Sequence, residues 1–139
     1  MDIQYPITNH KRPGRPKVAR STLEKKANAR RFSDEQRQRD RAQFMLITLR
    51  GKAKRSGAEM TLTREWFEER LAAGCCEVTG IPFDLNGKWA PFAPSVDQTD
   101  PGCGYTPENT KLVVFMYNMA KNTWKHEDVL KLAEALCQK

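Results

Sequence analysis

The sequence predicts a small α+β domain preceded by helices and a disordered basic arm. Three observations carry this. Apolar residues recur at helical spacing in 64–73 and 126–137. The stretch 75–98 holds Gly80, Pro82, Gly87, Pro91 and Pro94, which leaves room only for short strands. The first 20 residues combine Pro6, Pro13, Gly14 and Pro16 with basic residues and few apolar ones. A length of 139 residues fits one domain, not two. Apolar residues make up 39%, so the core is modest.

The elements follow in order. Residues 22–32 favour a helix but lack an apolar stripe. Ser33 offers an N-cap, with Gln36 as its capping-box partner, for a helix over 34–55. Phe44, Met45, Ile47 and Leu49 sit near its middle, and Ser56-Gly57 ends it. Met60 and Leu62 alternate with polar residues, as in a short strand. Thr63 caps a helix over 64–73, with Trp66, Phe67 and Leu71 on one face and Gly74 as its stop. A hairpin-like segment is expected near 77–85 and a strand near 95–98. Gly102-Cys103-Gly104 is a turn. Thr106 and Pro107 then open a helix expected to reach Lys121. Val129, Leu130, Ala133 and Leu136 mark a last helix over 126–137. The implied organisation is an arm over 1–20, a basic helical segment over 21–57 and a domain over 58–139.

Charge is unevenly spread. Residues 1–60 hold 16 Lys/Arg against 6 Asp/Glu, a net +10. Residues 61–139 hold 8 against 11, a net −3. Such a basic half points to a polyanion, nucleic acid foremost, because each cation on a phosphate releases counterions. The bland alternative is a solvated tail. No apolar run approaches the roughly 18 residues of a membrane span, so no membrane partner is expected. The N-terminus lacks an apolar leader, so a cytoplasmic protein is expected. Cys75, Cys76, Cys103 and Cys137 form no CxxC pair, which predicts reduced thiols and no structural zinc.

The string Lys11-Arg12-Pro13-Gly14-Arg15-Pro16-Lys17 resembles an AT-hook. Its prolines hold the chain extended. Gly14 lets the backbone approach, and Arg15 then lies along a narrow A·T-rich minor groove of double-stranded DNA. Arg12 and Lys17 neutralise flanking phosphates.

A second resemblance covers about residues 60–125. Cys76-Glu77-Val78-Thr79-Gly80-Ile81-Pro82-Phe83, Ser95-Val96-Asp97-Gln98-Thr99-Asp100, Gly104-Tyr105-Thr106-Pro107-Glu108-Asn109 and Asn118-Met119-Ala120-Lys121 resemble an HNH endonuclease of the short phage and prophage kind. The resemblance implies a ββα-metal fold, a bacterial host cytoplasm and one divalent ion. It makes Asp97 and Asn118 metal ligands, Asn109 the brace of the loop and Lys121 a contact to phosphate. Asn118 stands nine positions after Asn109, as the family requires. Oxygen ligands of this kind suit Mg²⁺ or Mn²⁺.

The family's general-base histidine falls on Gln98. An amide cannot accept a proton at neutral pH, and losing a general base costs roughly 10²–10⁴ in rate. Asp100, His126, and the substrate or a second metal-bound water are the candidate substitutes. Two readings of the chemistry follow, a metal-dependent endonuclease or nickase, and a catalytically inactive DNA-binding or regulatory protein. A third is a protein-interaction module acting on a host factor.

Overall fold

The computed structural model describes residues 18–86 and 90–138, with side chains from Thr22 onward. They form an α+β arrangement of five helices and one two-stranded antiparallel sheet. The chain divides into two compact units, residues 1–35 and 36–139. The arm, with Arg12, Gly14, Arg15 and Lys17, lies outside the described residues.

Helix α1 spans Val18–Arg39. Its part in the first unit leaves Leu23 and Phe32 exposed, as its missing apolar stripe requires. Ser33 lies inside this helix and caps nothing. The cap is Asp40, whose carboxylate accepts from the Gln43 N–H at 3.0 Å and opens α2, Arg41–Ser56. Asp40 precedes the stripe that buries: Ala42, Leu46, Leu49 and Ala53, spaced 4, 3 and 4 apart. Gly57, at φ +69°, closes α2.

Helix α3 is Arg64–Ala73. Thr63 caps it at Trp66 N, and Gly74 at φ +75° stops it. Trp66 and Phe67 are buried, edge to face, with ring centroids 4.9 Å apart. They join Leu46, Leu49, Leu62, Tyr105 and Leu112 in the main core. Helix α2 is therefore part of the domain core, and the boundary expected at residue 57 does not set it apart.

Strand β1 is Pro94–Gln98 and β2 is Thr110–Val114, with Asp97 opposite Lys111 and Val96 opposite Leu112. Residues 110–114 were expected in a helix starting at Pro107. They pair as a strand instead, because Thr110, Val113 and Val114 are β-branched and bury against their neighbours. Helix α4, Phe115–Lys121, follows β2 directly. The expected strand at 60–62 is one bridge, Met60 to Tyr105, and the expected hairpin is one bridge, Cys75 to Pro82. Helix α5 is His126–Cys137, and none of its residues is fully buried. Among the described residues, no helix is long and apolar enough to cross a membrane.

Candidate functional site

Side chains alternate across β1, so Asp97 and Gln98 serve different faces. Asp97 turns toward α4. Its Oδ1 accepts a hydrogen bond from Lys121 Nζ at 3.1 Å. The same ammonium donates to the Gln98 carbonyl at 2.8 Å. The two side chains are only 6% and 3% exposed, so this is an interior ion pair. Burial pushes the Asp97 carboxyl above its usual range, against the downward pull of Lys121 and Lys111. Lys121, expected at a phosphate, is thus inside the protein.

Gln98 is built into the following turn. Its Nε2 donates to Gly104 O at 2.9 Å, and its Oε1 accepts from Gly102 N at 3.2 Å. Asn109 clasps the same loop. Its Oδ1 accepts from Asp100 N at 2.9 Å, and its Nδ2 donates to the carbonyls of Asp100 and Gly104 at 3.1 and 2.9 Å. Asn109 therefore braces the loop. Gly104 sits at φ +82°, and a Cβ there would lie 3.0 Å from Glu59 Cβ. Only glycine meets both demands without strain.

Asn118 does not meet Asp97 at one point. Its Nδ2 donates to Ser95 Oγ at 2.7 Å and to Val96 O at 2.9 Å, tying α4 to β1. Asp97 lines a cavity of about 610 Å³, whereas Asn118 lines another, between α2 and β1. Among the described residues, no three of His, Cys, Asp and Glu converge as a metal cage. Asp97 already faces a cation of the protein's own. The residues present do not fit a divalent ion held between Asp97 and Asn118.

The first cavity also exposes Asp100, Glu77 and His126. His126 Nδ1 lies 2.9 Å from the Tyr117 hydroxyl. Burial, then the charges of Asp97, Cys76 and Glu127, push the Tyr117 hydroxyl above its usual range. It stays a neutral phenol beside the imidazole. Glu77 links α3 to β2, pairing with Arg70 at 3.3 Å and accepting from Leu112 N. The sequence reading did not assign Tyr117, Ser95 or Glu77. The spacing of Asn118 and Lys121, three apart on one helix, signals only that the two share a face.

No family model, no curated protein and no solved structure matches this chain.

Proposed function

We propose that the chain is a DNA-binding protein on an HNH-like ββα scaffold that holds DNA without cutting it. One observation carries the non-cutting half, the buried contact of Lys121 Nζ with Asp97 Oδ1. An ammonium there supplies the positive charge that the family takes from a metal ion. A divalent ion at Asp97 would have to share that carboxylate with the ammonium, which repels it. Gln98 supports the same reading, since its amide stands at the general-base position and is engaged in building the loop.

The DNA-holding half rests on charge. Net +10 lies in the first 60 residues. Lys25, Lys26, Arg30 and Arg31 of α1 are exposed. The arm adds Arg12, Arg15 and Lys17 for phosphates and an A·T-rich minor groove. A second reading, a metal-dependent nickase, is favoured by one feature: His126 shares a cavity with Asp97 and Asp100.

The test is fluorescence anisotropy with a labelled A/T-rich duplex over 50–300 mM salt. The expected result is affinity that falls steeply with salt and falls again on Arg15→Ala, more for A/T-rich than for G/C-rich duplex. Absence of binding at 50 mM salt would overturn the proposal and leave the host-protein module.

A further inference from the structure

A second groove shares no lining residue with the Asp97 cavity. It has a volume of about 480 Å³ and is formed by the end of α1, α2, β1 and α4. That size falls within the roughly 300–1,000 Å³ of ligand sites. Its chemistry is one-sided. Arg37, Arg41 and Lys52 line it, and among the described residues no Asp or Glu does. Its apolar surface comes from Phe44, Met45 and Phe115.

The groove is written into α2. Residues 41, 45, 48 and 52 are spaced 4, 3 and 4 apart, so they share one face at about 100° per residue. This is a different face from the buried stripe of Ala42, Leu46, Leu49 and Ala53, although Leu49 touches both. The helix turns one side to the core and a cationic side to the groove.

Two of the cations press on each other. Burial, then the charge of Arg37, lowers the Arg41 guanidinium from its usual range, with Asp84 opposing. Arg41 also donates to the Leu85 carbonyl, which fixes its position. Arg37 lies over the Phe44 ring, 5.8 Å from its centroid. Arg41 and Lys52, on a lining that holds no Asp or Glu among the described residues, suit an anion, and the half-buried Phe44 ring beside them suits a flat apolar group on it.

We infer that this groove binds a short stretch of single-stranded DNA, with phosphates on Arg41 and Lys52 and an unstacked base on Phe44. Phosphates answer the cations, and bases stack on aromatic rings in such grooves at about 1–3 kcal/mol each. A duplex hides its base faces, so it cannot use the ring. This inference rests on the DNA-binding reading and adds to it a second, strand-selective site.

The test uses the full chain with a fluorescein-labelled dT10, an rU10 and an A/T-rich duplex, read by anisotropy at 100 mM salt. Three variants are compared: Lys52→Gln, Thr48→Glu and Arg50→Gln. Arg50 is exposed and points about 200° away from Thr48 around α2. Lys52→Gln and Arg50→Gln remove the same charge, so general attraction weakens both alike. The expected result is dT10 binding that drops at least fivefold in Lys52→Gln and Thr48→Glu, and less than twofold in Arg50→Gln. Phe44→Leu, which keeps an apolar side chain, is expected to weaken dT10 about fivefold and the duplex little. Equal losses in Lys52→Gln and Arg50→Gln would overturn the groove, as would binding of rU10 without dT10. Duplex binding without dT10 binding would overturn the groove and leave the DNA-binding reading intact. Failure of dT10 and duplex together would overturn both.

Discussion

The Nζ of Lys121, on the last residue of α4, lies 3.1 Å from Oδ1 of Asp97 on β1. Twenty-four positions separate them in the chain. The pair ties helix to strand inside the protein. Removing one partner leaves the other buried alone. Lys121→Met is expected to cost about 3–5 kcal/mol at pH 7, measured by urea unfolding. The pH dependence has a definite sign. Asp97 has a raised folded-state pKa, so its contribution is full below the unfolded value of about 3.9 and is lost as pH rises through the folded value. Without Lys121 that pKa rises further. The penalty of Lys121→Met should therefore shrink on acidification, and a pH-independent penalty would contradict the assignment.

Asn109 makes three side-chain hydrogen bonds across the loop after β1. Asn109→Ala is expected to cost about 2–3 kcal/mol, near 1 kcal/mol for each bond. Asn109→Asp keeps the acceptor for Asp100 N but sets carboxylate oxygen against two carbonyls. It should be at least as destabilising as alanine. Thermal unfolding of the two variants checks the order.

Gly104 combines φ +82° with a close approach to Glu59. Gly104→Ala is expected to lose at least ~1–2 kcal/mol from backbone conformation alone. Gly102 has a similar φ of +86° but open space at its Cβ. Gly102→Ala should cost less, and chemical denaturation of both variants compares them.

Thr63 accepts from Trp66 N at 3.3 Å and starts the helix that carries Trp66 and Phe67 into the core. Thr63→Ala is expected to cost about 1 kcal/mol, and Thr63→Ser to restore most of it. Melting temperatures of the two variants report this.

Local signals were readable where they stood next to what they act on. Thr63 and Gly74 bracket α3 within the sequence, and the spacing of Val129 to Leu136 marks α5. Ser33-x-x-Gln36 misled because α1 runs through it. Asp40-x-x-Gln43 had the same form and stood directly before the stripe that buries. Residues 110–114 read as helix because Leu112, Val113, Phe115 and Met116 fit a helical face. Their pairing with β1 depends on residues 94–98, which no short window contains. The site divides the same way. The hydrogen bonds of Asn109 stay within the loop of residues 100–109, close to it in sequence. The use of Lys121 was not legible, because an Asn-x-x-Lys spacing says nothing of Asp97 across the fold. The groove along α2 needed the partner strand to appear at all.

On the proposed reading, Lys121 stands in for the cation and the scaffold holds DNA uncut. The most direct measurement incubates supercoiled plasmid with the protein and Mg²⁺ or Mn²⁺, at concentrations where anisotropy shows binding. An Asp97→Ala variant runs alongside. The expected result is bound plasmid that stays supercoiled with either ion. Metal-dependent nicking by the native protein that disappears in Asp97→Ala would contradict it.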